Sequence, residues 1–156
     1  MSLEDRLLEL ENIRAALFAQ LGIGELKPKS EVQKYLTLGE SELKAITPES
    51  CVIGAHLLAS ESTYIQTQIN RHQRIYNWAN RNLSQIIAKV VDNYGTQYTP
   101  YEIKKARAIN DDMALHKFAQ LASDTELVLD SLAFIPQNLK FQAQTLLSLA
   151  QSKQRQ

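Results

Sequence analysis

Cysteine is nearly absent from the chain: Cys51 stands alone in 156 residues. A lone thiol closes no intrachain disulfide and anchors no zinc site, so the fold must rest on packing, and a reducing, cytoplasmic setting is expected. Glycine is scarce as well, with five residues and none beyond Gly95. No apolar run approaches the roughly 20 residues that cross a bilayer, and Met1-Ser2-Leu3-Glu4-Asp5 lacks the apolar core of a secretory signal, so no membrane association is expected.

Recognisable reaction chemistry is missing too. His56, His72 and His116 are scattered without metal-ligand spacing. Gly22-Ile23-Gly24 follows no strand pattern and lacks the rest of a phosphate-loop fingerprint. Asp111-Asp112 is a carboxylate pair, but neighbouring helical residues point about 100° apart and no third carboxylate stands one turn away, so a solvated helix face is expected. Cys51 and His56 form at most a weak dyad on one helix, and His72 falls among apolar neighbours as a core histidine would. A non-enzymatic protein with no cofactor and no metal is the expectation.

What the sequence does hold is helical periodicity. Ser2 with Asp5 reads as a helix start, and Leu3, Leu7, Leu10, Leu17 and Leu21 line one face up to Gly22. After a turn-rich link at residues 22–29, two short helices are expected, one from Ser30 and one from Thr37, which pairs with Glu40 as a capping box. Thr47-Pro48-Glu49 supplies a cap, a first-turn proline and an acid at the positive helix end, and opens a helix reaching about Asp92. Asn93-Tyr94-Gly95 breaks it, and Thr99-Pro100-Tyr101-Glu102 restarts the pattern with a second capping box.

Both long segments carry apolar residues at alternating spacings of four and three. The first has Ile65, Ile69, His72, Tyr76, Ala79, Leu83, Ile86 and Val90; the second has Leu121, Thr125, Val128, Leu132, Ile135, Leu139, Gln142, Leu146 and Leu149, with a kink expected at Pro136. The predicted fold is all-α: a long antiparallel helical hairpin of coiled-coil type over residues 47–156, preceded by an acidic helical region over 1–46. Two thin rods bury little by themselves, so the N-terminal helices are expected to pack against the hairpin and several hairpins to pack together as a homo-oligomer. Its seam would use Ile65, Ile69, Tyr76, Leu83, Ile86, Leu132, Leu139 and Leu146, with Ser62, His72, Thr125 and Gln142 setting register.

Net charge is zero, but its distribution is uneven. Residues 1–61 hold six Lys/Arg against ten Asp/Glu, a net of −4, and residues 62–156 hold eleven against seven, a net of +4. Between residues 62 and 91 there are four cations and no acid. On the heptad that places Ile69, Tyr76 and Leu83 at its first position, Arg71, Arg74, Trp78 and Arg81 fall on outward positions one turn apart. An aromatic ring flanked by arginines offers stacking for an unpaired base, worth roughly 1–3 kcal/mol, and charged donors for phosphates. The competing reading packs Trp78 on the acidic N-terminal helix or a neighbouring subunit, with the arginines paired to Glu4, Glu9 or Glu11. Lys104, Lys105 and Arg107 form a second basic cluster, which the break could bring towards Lys89, Tyr94, Tyr98 and Tyr101. Cations at a helix start oppose its dipole, so an anionic ligand would account for them; the competing reading is ordinary surface lysines.

The stretch Tyr76-Asn77-Trp78, through Lys89 to Tyr94-Gly95 and on to Tyr101-Glu102-Ile103-Lys104-Lys105, resembles the UvsY-type recombination mediators of T4-like phages. So do Val128-Leu129-Asp130-Ser131-Leu132 and Leu146-Leu147-Ser148-Leu149, and the likeness covers roughly residues 50–150. It implies a helical, ring-forming protein that binds single-stranded DNA, displaces the single-strand binding protein and loads a RecA-like recombinase. The DNA-contacting positions it implies are Arg81 and Lys89, with Arg71 and Arg74 upstream. The chain departs from that family in its acidic extension and in having no tandem tyrosines at the break. Two other functions fit the same residues: a coiled-coil adaptor or inhibitor that docks a partner protein, and a DNA-packaging subunit like a small terminase.

Overall fold

The computed structural model describes residues 30–155 and, singly, Asn12. Among the described residues the fold is all-α, with no strand. Helices α1 (Ser30–Leu36) and α2 (Glu40–Ala45) precede the long α3 (Pro48–Val90); a 3-10 turn (Val91–Tyr94) leads to α4 (Tyr101–Asp111), α5 (Met113–Leu132) and α6 (Ile135–Gln154). No helix among them is long and apolar enough to cross a membrane. The Ser2 cap, the leucine stripe and the Gly22 stop lie outside the described residues.

Helix α3 starts where its sequence signals place it. The Thr47 hydroxyl accepts from the Ser50 N–H at 3.2 Å, and Pro48 occupies the first turn, where its missing donor costs nothing. Its 43 residues, at about 1.5 Å each, extend roughly 65 Å. Two other helix starts differ from expectation. The second short helix begins after Gly39, whose N–H donates to Glu42 Oε2 at 2.7 Å, while the Thr37 hydroxyl donates backwards to the Gln33 carbonyl. The Thr99 box does not form: Pro100 takes the cap position, and Thr99 Oγ1 instead accepts from the Thr96 N–H at 3.1 Å, closing the loop. Gly95 suits this loop because a Cβ there would lie 2.8 Å from the Thr99 side chain.

The second arm is interrupted twice. Asp112 leaves the helical region, and its carboxylate accepts from the N–H groups of Ala114 and Leu115, which makes it the cap of α5. At Ala133 and Phe134 the chain turns, and Pro136 then lies in the first turn of α6, where no intrahelical donor is needed. Ala133 and Phe134 both keep right-handed helical backbone, so the interruption expected near Pro136 is a two-residue break between α5 and α6.

Hydrogen bonds link α3 and its flanks to the second arm in antiparallel order. Lys153 Nζ donates to the Lys44 and Ile46 carbonyls just before α3, Ser62 and Tyr76 of α3 donate to the Pro136 carbonyl and to Glu126, and Tyr94 of the 3-10 turn donates to Asp111. Two apolar clusters lie along this contact. The larger joins Val32, Cys51, Ala55, Leu58 and Ile65 to Val128, Leu132, Leu139, Ala143, Leu146 and Ala150; the smaller joins Leu83, Ile87 and Val91 to Ala108 and Leu115. After Leu83 the buried positions advance by four and four, to Ile87 and Val91, so Ile86 falls to the flank. A straight helix repeats every 3.6 residues, and its apolar stripe drifts off a strict seven-residue repeat.

The residues proposed for an intersubunit seam are spent on this intrachain packing. Ile65, Leu83, Leu132, Leu139 and Leu146 are buried, while Ile69 and Ile86 flank the two clusters. Tyr76 is half-buried and hydrogen-bonded to Glu126. Any assembly of copies must use other surface.

The Tyr35 ring of α1 lies directly on Gly54, where a Cβ would overlap it. Alanine at a helix interior normally gains up to about 1 kcal/mol over glycine, but overpacking costs roughly 1–3 kcal/mol. Gly54→Ala is therefore expected to lower the unfolding midpoint, and Tyr35→Ala to abolish that penalty in the double variant. Additive effects in a denaturation cycle would remove the ring from this account.

Candidate nucleic-acid interface

The segment without acid follows α3 from the end of the larger apolar cluster, at Ile65, through the smaller one, at Leu83, Ile87 and Val91. Arg71, Arg74, Arg81 and Lys89 are exposed there. Among the described residues the ion pairs are Lys44–Glu40 and Lys104–Asp92, and neither involves these four cations. Trp78 keeps 54% of its surface exposed. Its indole leans on Phe118 of α5, with ring centroids 5.4 Å apart and planes at 58°, a tilted aromatic contact of the favoured kind. One helical turn on, Asn82 Nδ2 donates to the Trp78 carbonyl at 2.8 Å. The interface thus presents a partly anchored ring with an arginine three or four residues to either side.

Phe118 belongs to this site and the sequence reading missed it. Its place three residues after the buried Leu115 marks it as a flank of the packed face, but its pairing with Trp78 depends on interhelix register. That register is set by contacts such as Ser62 with Pro136, at 2.9 Å in the buried core.

The second basic cluster is differently employed. Lys104 reaches Asp92 at 3.6 Å with only 12% of its side chain exposed, and the Arg107 guanidinium donates to the Tyr94 carbonyl at 3.2 Å. These two cations hold the 3-10 turn against α4, which gives charges at a helix start a partner within the chain. Lys105 is half-buried. Tyr94 donates to Asp111, and Tyr98 and Tyr101 stay exposed. The structure therefore gathers Arg71, Arg74, Trp78 and Arg81 on one face and leaves Lys104 and Arg107 bound to the turn.

Polar groups mark the stretch between the clusters. Thr125 is buried and donates to the Leu121 carbonyl one turn back. Burial pushes the Asp124 carboxyl up, and burial together with the Arg71 charge holds the His72 imidazole below its ordinary 6.5. Both shifts run towards the neutral form.

For His72 the consequence is a pH dependence. Below 6.5 the unfolded chain binds a proton that the folded state resists, so stability from neutral His72 is fully present above pH 6.5 and drains as pH falls through the depressed value. The unfolding midpoint is expected to drop between pH 7 and pH 5, and His72→Gln to flatten that drop. An unchanged slope in the variant would assign the pH dependence to other groups.

Among the described residues no group of three or more His, Cys, Asp or Glu could hold a metal ion. Asp112 is committed to capping α5, and Cys51 is fully buried with its thiol pushed up by burial. His56 lies apart from it, on the wall of an open groove. No family model matches the chain, and no curated protein or solved structure does so either.

Proposed function

We propose that this protein is a non-enzymatic accessory that binds single-stranded DNA and helps load a RecA-like recombinase in phage-type homologous recombination. One observation carries the binding part: a stretch of α3 without acids displays exposed Arg71, Arg74 and Arg81 around the half-exposed Trp78. Phosphates would meet the guanidinium groups, and a splayed base would stack on the indole. Lys89 would extend the track, and Lys105, Lys104 and Arg107 are the further cations this reading assigns to it. The recombinase partner follows from the resemblance to UvsY-type mediators alone. In this reading α3 and the α5–α6 arm form a coiled-coil-like hairpin, and several copies assemble in the cytoplasm, the host's if the protein is phage-encoded.

A second reading has its own observation. Leu127, Phe134 and Phe141 recur every seven residues with 50%, 77% and 69% of their surface exposed. Such a stripe would suit an adaptor docking a partner protein, or the contact between copies.

The deciding experiment is fluorescence anisotropy with labelled single-stranded and duplex oligonucleotides at low and physiological salt, with the mass of the same sample determined. The mediator reading expects preference for the single strand, weakening steeply with salt, by an oligomer. Duplex preference would favour a packaging subunit. No binding at low salt would overturn the DNA reading and leave the adaptor.

A further inference from the structure

A shallow apolar groove of about 390 Å³ runs between α3 and α6, away from the basic face. Its floor is Ala55, Ala59 and Ala143, side chains that end at Cβ and allow another backbone close approach. Val52 and Leu147 form its apolar edges, each over two-fifths exposed, and His56 and Lys140 supply positive or protonatable groups at the rim. Small residues below and aliphatic edges above suit the apolar face of a helix, which inserts anchors at spacings of three, four and seven residues.

We infer that this groove is the docking site of the chain's own N-terminal segment, residues 2–21, through Leu3, Leu7, Leu10, Leu17 and Leu21. The spacing of those leucines, four, three, seven and four, is that of one helical face. The same residues carry Glu4, Asp5, Glu9 and Glu11 against Arg6 and Arg14, a net charge of −2 that complements the Lys140 rim. Position favours this occupant too. The segment leads through residues 22–29 to Ser30, which opens α1, and α1 sits against the same part of α3: Val32 joins the cluster of Cys51 and Ala55, and Tyr35 covers Gly54. Residues 22–29, at about 3.3 Å each, extend at most roughly 26 Å. That spans the 10–12 Å width of a helix, so the segment can reach around α3. A tether this short holds a segment at an effective concentration in the millimolar range, which a second copy free in solution does not reach.

Hydrogen exchange on the full chain tests this. Amides of residues 2–21 are expected to exchange at least tenfold more slowly than in an unfolded peptide. Val52→Glu with Leu147→Glu charges both exposed edges without touching the buried core, and should return residues 2–21 to within about twofold of unprotected rates. Leu7→Glu with Leu10→Glu should in turn speed exchange in residues 52–59 and 140–147, with overall helicity kept elsewhere. Residues 2–21 exchanging alike in the native chain and the groove variant would overturn the inference. So would protection that rises with protein concentration alongside a doubling of mass, since the groove would then hold a second copy.

Discussion

A full-length chain with Arg74→Ala and Arg81→Ala is expected to bind single-stranded DNA at least tenfold more weakly at low salt while keeping its helical circular dichroism. Both side chains are exposed on α3, and neither joins an ion pair among the described residues, so their removal leaves no buried partner unpaired there. On a single strand each neutralised phosphate contributes about 0.7 to the slope of log affinity against log salt. Losing two should flatten that slope by about 1.4. This signature separates a phosphate contact from indirect damage, which lowers affinity without changing the slope. Trp78 gives an independent reading because it is the chain's one tryptophan. A base stacked on the indole should quench its emission in the native chain, and the double variant should show the same quenching at saturation, only at higher DNA concentration. Unchanged affinity in the double variant would take the site off this face of α3 altogether.

The all-α architecture was legible because apolar period and cap chemistry agreed. Thr47-Pro48-Glu49 set one end of α3, and Asn93-Tyr94-Gly95 marked the other within a few residues. Boundaries failed where one side chain had two uses. Thr99 could cap α4 or close its own loop, and the loop took it; Asp112 looked like a surface carboxylate and proved to cap α5. Pro136 marks the place of the second interruption, and only the extent of the break, Ala133 and Phe134, goes beyond what it states. In each case the choice depends on which backbone donors are left over once the helices pack. A single sequence does not state that.

The basic face was legible for a simpler reason: outward positions on a helix follow from the same period as inward ones. The fate of the second cluster was not. Lys104 and Arg107 sit near Lys89 in sequence order around the break, but their partners, Asp92 and the Tyr94 carbonyl, are fixed by how the 3-10 turn folds back on α4. The candidate site also sits at the thinnest part of the packing. Between Ile65 and Leu83 the contact is made by half-buried Ile69, His72 and Tyr76 with buried Ala79, facing Ala122 and Thr125. Segments with few buried apolar contacts open most readily, so the face that would wrap DNA lies over the part of the rod best able to adapt to it.

That uneven packing leads to the largest stability effect. Leu58 is fully buried in the larger cluster, and Leu58→Ala is expected to cost about 2–5 kcal/mol, from lost transfer energy plus the cavity left behind. Domains of this size are stable by only about 5–15 kcal/mol, so a loss of that order should lower the midpoint of the whole transition. Ile87 is buried to the same degree but in a cluster of five residues, against eleven around Leu58. The smaller cluster closes the far end of the rod with fewer buried apolar residues, and segments of that kind open most readily. Ile87→Ala should therefore leave the main transition nearly in place and speed hydrogen exchange locally, in residues 83–115. Equal drops in the main midpoint for both variants, with no local change in exchange, would mean that the two clusters unfold as one unit.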